Sequence, residues 1–148
     1  MKYDLTPVVR GFLPRDDSAV RLCDARVVSP SLVERVRDGL PFAELRVLRE
    51  LLAISEDHLG RLIGISPATL NRRKKARRLG TPESERIVRF ARLFGIAMEV
   101  LGSEDAAREW LKTPNPGTGG EPPLSYADTE FGAREVENLL GRLDHGVF

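Results

Sequence analysis

A dense run of basic side chains lies in the middle of the sequence. From Arg61 to Arg78 there are seven basic residues and no acidic ones. Such a density suits the neutralisation of nucleic-acid phosphates, and the resulting affinity falls steeply with salt. Asn71 carries the donor and acceptor pair that reads adenine, and Arg72 or Arg73 carries the fork that reads guanine. The run therefore favours DNA recognition over the alternative, a solvated basic helix end that interacts favourably with the helix dipole.

The residues around the basic run predict a helix-turn-helix. Gly60 leaves room where two helices cross, and Gly64 tolerates the positive φ of a sharp turn. Ser66 followed by Pro67 gives a cap and a preset first turn to the second helix. The second helix would then enter the major groove with its N-terminal residues at base edges. The predicted buried positions of the pair are Leu59, Ile63, Ile65 and Leu70.

We predict that the DNA-binding residues lie on this second helix and just after it. Thr69 can contact a phosphate or a thymine methyl group. The basic residues that follow Arg73 suit the DNA backbone better than the bases. The predicted DNA-binding residues are Ser66, Thr69, Asn71, Arg72, Arg73, Lys74, Lys75, Arg77 and Arg78.

Helical patterns dominate from Pro30 onward. Cap residues and prolines predict helix starts near Ser29 or Ser31, Pro41, Ser55, Thr81 and Ser103. Gly39 can end the first helix. One apolar stripe of the second consists of Leu45, Leu48, Leu51 and Leu52. Residues 1–28 contain helix breakers, and Val20 to Val28 alternates as a short strand would.

The last forty residues indicate a second binding surface. A helix ends at Trp110-Leu111, a turn rich in proline and glycine follows, and a second amphipathic helix comes after it. Trp110 is expected in the core. The turn could be a plain linker, but apolar residues on both sides favour ends that are packed together. The predicted apolar stripe of the last helix is Phe131, Val136, Leu139, Leu140 and Leu143, and its charged residues, Glu130 and Glu137 among them, are expected mostly on a solvated face.

The net charge of +1 conceals an uneven distribution. Residues 61–120 hold 12 basic and 6 acidic side chains, a net +6. Residues 121–148 hold 2 basic and 6 acidic side chains, a net −4. Such asymmetry indicates a different partner for each segment.

The titratable residues form no catalytic constellation. Asp57-His58 is a lone pair, and no Ser/His/Asp, Cys/His or paired-carboxylate arrangement accompanies it. His58 and His145 cannot make a metal cluster, and the one cysteine, Cys23, excludes a disulfide framework. We therefore predict no enzyme activity and no cofactor. No apolar run is long enough to span a membrane and no signal peptide opens the sequence, so a cytoplasmic location is expected.

The C-terminal segment resembles the toxin-binding domain of Xre/MbcA/ParS antitoxins, which pair with RES-domain toxins. The resemblance rests on Trp110-Leu111, Pro114-Asn115, Gly119-Gly120, Pro123-Leu124, Thr129, Gly132, Val136 and Leu140. The middle of the chain fits the helix-turn-helix half of the same family. The sequence departs from the family at Gly117-Thr118, where a small and a large apolar residue are usual, and at Tyr126-Ala127, where two leucines are usual.

The resemblance implies an all-α fold, in which an Xre-like helix-turn-helix domain precedes a small helical toxin-binding domain. The expected divisions are an extension at 1–28, the helix-turn-helix domain at 29–102 and the toxin-binding domain at 103–148. The implied function is that of a type II antitoxin that represses its own promoter. The implied partner is a RES-type toxin that consumes NAD or transfers ADP-ribose. The alternative is a stand-alone helix-turn-helix regulator whose C-terminal domain only dimerises.

The resemblance implies toxin neutralisation by occlusion of the active-site cleft from residues near the C-terminus. We expect the segment from Arg142 to Phe148 to reach into or across that cleft. The predicted toxin-binding residues are Tyr126, Glu130, Arg134, Asn138, Arg142, His145, Gly146, Val147 and Phe148. Operator DNA is the second expected partner, and a homodimer is expected because helix-turn-helix proteins usually read two half-sites.

Overall fold

The computed structural model describes residues 30–146, and the regular structure in that range is helical, as the sequence predicts. The elements are α1 (Pro30–Asp38), α2 (Phe42–Leu52), α3 (Glu56–Leu62), α4 (Pro67–Ala76), α5 (Thr81–Leu101), α6 (Glu104–Lys112), a 3₁₀ turn (Pro116–Thr118), α7 (Pro123–Tyr126) and α8 (Glu130–Asp144). The extension at 1–28, including the strand predicted from Val20 to Val28, lies outside the described residues. No helix within 30–146 is long and apolar enough to cross a membrane.

Side-chain caps begin most of these helices. Ser55, Ser66, Ser103 and Thr129 each accept a hydrogen bond from a backbone amide three residues ahead. The expected cap at Thr81 is wrong by one residue, because Gly80 occupies the cap position of α5. The Thr81 hydroxyl instead donates to the carbonyl oxygen of Arg37 at 2.8 Å, which ties the end of α1 to the start of α5. Pro41 likewise stands just before α2 and not within its first turn.

The predicted helix-turn-helix is present as α3, a tight turn and α4. Gly64 has a φ of +74°, a conformation that few side chains tolerate. Gly60 is buried, and a methyl group there would touch Leu70 of α4 at 3.4 Å. Leu59, Ile63 and Leu70 are buried and Ile65 is partly buried. Local sequence signals thus place both helices and the turn between them.

The long helix α5 is at the centre of the described structure. It packs against α1, α2, α6 and α8. Its buried side chains include Ile87, Phe90, Leu93 and Phe94. The core that they belong to runs from Leu40 to Leu140, and Trp110 packs against it. The predicted boundary between residues 102 and 103 falls in the loop after α5, yet α5 packs against helices on both sides of that boundary.

The last helix turns most of its predicted apolar stripe to the core, with one exception. Val136 and Leu140 are buried, and Leu139 and Leu143 are partly buried. Phe131 is 82% exposed, so its place in the buried stripe is wrong. Phe131 is exposed because α7 and α8 pack closely, so that a side chain at Gly132 would collide with the carbonyl oxygen of Tyr126. Because only small residues fit there, Gly132 and Ala133 face inward and Phe131 faces outward.

We expect Gly132→Ala to destabilise the protein by about 1–3 kcal/mol, because a backbone carbonyl cannot move aside as a flexible side chain can. Gly141→Ala is the matched control on the same helix, since a methyl group there meets nothing within 4 Å. It should stabilise α8 by up to about 1 kcal/mol through helix propensity. Urea unfolding of both variants measures the difference. Equal midpoints would contradict a close contact at Gly132.

Candidate nucleic-acid interface and C-terminal surface

One exposed stripe of α4 carries the residues best suited to read DNA. Ala68, Asn71, Arg72 and Lys75 are all exposed. Their spacing of three or four residues places them on one side of the helix. Ala68, near the N-terminal end, is small enough to let the helix approach a groove closely. Arg77 is also exposed, and it ends α4 with a φ of +58°.

Two other predicted DNA-binding residues build the start of α4. The Ser66 hydroxyl accepts a hydrogen bond from the Thr69 amide at 3.2 Å and donates to the Thr69 hydroxyl at 3.1 Å. These bonds satisfy an amide that would otherwise have no partner in the first turn. Ser66 is exposed and Thr69 half-buried. The pair therefore sets the position of the helix end that would face the bases.

Three of the predicted DNA-binding cations are held by contacts within the chain. Arg73 Nε donates to Glu83 at 3.0 Å, and the Glu83 carboxylate is buried. Lys74 Nζ lies 2.7 Å from Glu56, and this hydrogen bond holds the pKa of the Glu56 carboxyl below its usual range. Arg78 donates to the carbonyl oxygens of Asp38 and Gly39. These cations fasten α4 to its neighbours, whereas Arg72 and Lys75 extend outward.

A residue that sequence reasoning missed supports the turn of the helix-turn-helix. Arg86, on α5, donates to the carbonyl oxygen of Ile63 at 2.6 Å. Its guanidinium lies 3.1 Å from where a Cβ of Gly64 would be. Arg86 therefore caps the end of α3 from outside the motif. No local signal indicates this contact, because 23 residues separate the partners.

The turn rich in proline and glycine is ordered and packed, which contradicts a plain linker. The Thr118 hydroxyl is buried within hydrogen-bonding distance of the carbonyl oxygens of Asn115 and Glu121. Gly119 and Gly120 both have positive φ. Thr118 stands where the family has a large apolar residue. Its burial is possible because the single hydroxyl proton has carbonyl oxygens as acceptors within reach.

Two arginines of α5 hold the beginning and middle of α8. Arg89 pairs with Glu130 at 3.2 Å and donates to the Asp128 carbonyl oxygen. Arg92 pairs with Glu137 at 2.6 Å and with Glu130 at 3.4 Å. Glu137 is partly buried and joins α8 to α5, whereas Glu130 stays on the solvated face while it pairs with α5. Glu130, predicted to bind the toxin, already has three cationic neighbours when Arg134 is included.

The other predicted toxin-binding residues lie at the outer surface where the structure describes them. Arg134, Asn138 and Arg142 are exposed along one side of α8. His145 and Gly146 follow and are exposed, and Tyr126 is partly buried. Val147 and Phe148 lie outside the described residues. The outward side of α8 is therefore available to a partner.

Comparison with known proteins identifies both parts of the chain. Residues 31–92 match the antitoxin Xre-like helix-turn-helix domain, and residues 97–146 match the antitoxin Xre/MbcA/ParS C-terminal toxin-binding domain. The chain is 37% identical over 119 residues to Antitoxin Xre of Yersinia enterocolitica, covering 79% of this chain and 80% of that protein. Antitoxin Xre of Photorhabdus laumondii is 33% identical over 120 residues, covering 80% of this chain and 81% of that protein. The chain belongs to the Xre antitoxin family.

This Xre-family protein is thus an antitoxin of a toxin–antitoxin system. Membership favours that prediction over a stand-alone regulator. A more distant relative, 24% identical over 123 residues, is the Prs ADP-ribosylating antitoxin of Sphingobium sp., with 76% of this chain and 77% of that protein covered. All three relatives are named antitoxins. Within residues 30–146 no three His, Cys, Asp or Glu side chains come together to hold a metal ion.

We expect Arg73→Ala and Arg72→Ala to differ sharply in folding stability. The first removes the partner of the buried Glu83 and should cost about 1–3 kcal/mol. The second truncates an exposed side chain and should change stability by less than about 0.5 kcal/mol. Thermal unfolding of the two variants tests the assignment. Equal losses would mean that Arg73 is not a structural residue.

Proposed function

We propose that this antitoxin represses its own promoter as a homodimer and neutralises a RES-type toxin that consumes NAD or transfers ADP-ribose. The proposed DNA binding is supported by the exposed stripe of α4. On that stripe Asn71, Arg72 and Lys75 extend outward, while their neighbours Arg73 and Lys74 are paired within the chain. A helix held in this way presents a preset group of donors to a groove.

The chemistry of the stripe matches major-groove recognition. Arg72 can donate two hydrogen bonds to guanine, and Asn71 can both donate to and accept from adenine. Lys75 and Arg77 are placed further along the helix, where phosphate contacts are expected. One such helix reads only a short site. Two copies bound about 34–36 Å apart along the duplex would read an inverted repeat, which is why we propose a homodimer.

The nature of the toxin is inferred from the family and from charge. The Sphingobium relative is named for an ADP-ribosylating system, and ADP-ribose donors are anionic molecules with planar rings. A cleft for such a molecule needs cationic groups and apolar walls. The segment 121–148 of the antitoxin has a net charge of −4 and ends in Val147-Phe148. The phenyl ring of Phe148 and the acidic side chains of the segment complement the apolar walls and the cationic groups, so we propose that residues 142–148 occlude the cleft.

For DNA binding, we expect Asn71→Ala and Arg72→Ala each to weaken the binding free energy for the operator by about 1–3 kcal/mol. Each should also reduce the preference for particular bases. Lys75→Ala should instead weaken binding to every DNA sequence equally and make the affinity depend less on salt. Gel shifts on the gene's own promoter and on random duplex, at two salt concentrations, separate the two effects. If the unaltered protein shows no preference for the promoter, with or without toxin, the proposed autoregulation fails.

For toxin neutralisation, we expect deletion of Gly146 to Phe148 to release toxin activity while DNA binding is retained. The remaining surface of α8 still contacts the toxin, so the loss of affinity should be partial. Growth and NAD content are measured in cells that co-express the toxin with the shortened or the full chain at equal abundance. Equal protection by both chains would assign occlusion to the 114–126 turn or to α8.

A further inference from the structure

Phe131 is the large apolar side chain that the close packing at Gly132 leaves on the surface of α8. In the described part of the chain it is the one large apolar side chain that is fully open to solvent, at 82%. It stands in the first turn of α8, beside the inward-facing Gly132. Single apolar residues on a surface are common and need no explanation. Phe131 differs because it borders a concave site.

That site is a cavity of about 370 Å³ between the turn, α7 and α8. The residues that line it include two aromatic ones, Phe131 and Tyr126, and three acidic ones, Glu121, Asp128 and Glu135. Among the described residues none of these three carboxylates takes part in an ion pair, in contrast to Glu130 nearby. No basic residue from the described range 30–146 lines the cavity. We name it the acidic aromatic pocket.

We propose that the acidic aromatic pocket docks a segment of the toxin in which an arginine or lysine adjoins an apolar side chain. This inference rests on the proposed function. If the toxin binds an anionic substrate, the rim of its cleft carries cationic side chains, and a segment of that rim would enter the pocket. A guanidinium can lie on an aromatic ring and at the same time donate to carboxylates. The neighbouring apolar side chain would cover Phe131.

The pocket continues the surface already assigned to toxin binding. Phe131, Glu135, Asn138 and Arg142 follow one another at three- or four-residue spacing and are all exposed. They form one outward stripe of α8, with the pocket at its beginning and the C-terminal residues at its end. A helix of 15 residues spans about 22 Å. The pocket and the C-terminal residues therefore lie towards opposite ends of one outward surface of α8.

The test uses the full-length chain and the toxin encoded beside its gene. We expect Phe131→Ala to raise the Kd for the toxin roughly tenfold or more, since a buried aromatic anchor dominates a typical interface. Folding stability and promoter binding should not change, because the side chain is exposed. Phe131→Tyr keeps the ring and should bind nearly as the unaltered chain does.

A second pair of variants tests the charge. Glu135→Lys places a cation in the pocket, and Glu99→Lys makes the same charge change at an exposed position of α5 away from it. We expect slower association with the toxin for the first variant only, together with a weaker dependence on salt. If both variants slow association equally, the carboxylates act only through the net charge of the protein, and the proposal is overturned.

The remaining outcomes separate the pocket from the proposed function. If the unaltered chain binds the toxin and Phe131→Ala binds equally well, the pocket proposal is overturned and the toxin assignment is kept. Failure of the unaltered chain to bind the toxin overturns both. If Phe131→Ala instead lowers the mass of the antitoxin by light scattering and toxin affinity is unchanged, the pocket serves a second copy of this chain, and the proposal is wrong.

Discussion

Both binding surfaces depend on the packing of one helix, α5. Its fully buried phenylalanines, Phe90 and Phe94, lie in the core shared by the two parts of the chain. Each contributes about 1.5–3 kcal/mol by leaving water. Along the same helix, Arg86 caps the end of α3 and Arg92 binds Glu137 of α8. The recognition helix and the C-terminal helix are thus positioned by different stretches of one rigid element.

The basic run of the chain divides into structural and exposed cations. Arg73 and Lys74 are adjacent to Arg72 and Lys75, but their side chains point to the body of the protein, where Glu83 and Glu56 receive them. Glu83 and Glu56 therefore leave Arg72 and Lys75 as the cations of α4 that are exposed without an ion pair in the described part of the chain. The charge count of the run overstates the number of residues free to contact DNA.

A second junction joins the C-terminal half to the helix-turn-helix half. Arg108 of α6 donates to the carbonyl oxygen of Leu51 at 2.8 Å, and Lys112 approaches that of Ala53 at 3.4 Å. These carbonyls belong to the end of α2, where the helix dipole favours positive charge. Contacts of this kind act across the expected domain boundary. The two halves therefore share one hydrophobic core.

Much of the local structure follows from short-range sequence signals. Ser55, Ser66 and Ser103 cap their helices as expected, and Gly64 makes the turn, because capping and positive φ depend on neighbours within a few residues. The motif that resembles Xre antitoxins also identifies the family directly. Residue spacing predicts burial less well on α8. Phe131 belongs to the apolar stripe expected from the sequence, and yet its side chain is exposed.

Long-range contacts decide what local signals leave open. The pairing of Arg73 with Glu83 and of Arg92 with Glu137 depends on helices that meet only in the folded chain. No spacing rule relates residues 45 apart, as Arg92 and Glu137 are. The carbonyl of Tyr126 leaves no room for a side chain at residue 132, and this exclusion sets the rotation of α8. The sequence by itself therefore determined the helices, the turn and the family. Only tertiary packing decided which cations and which aromatic ring are exposed, because those choices depend on steric and ionic contacts between distant segments.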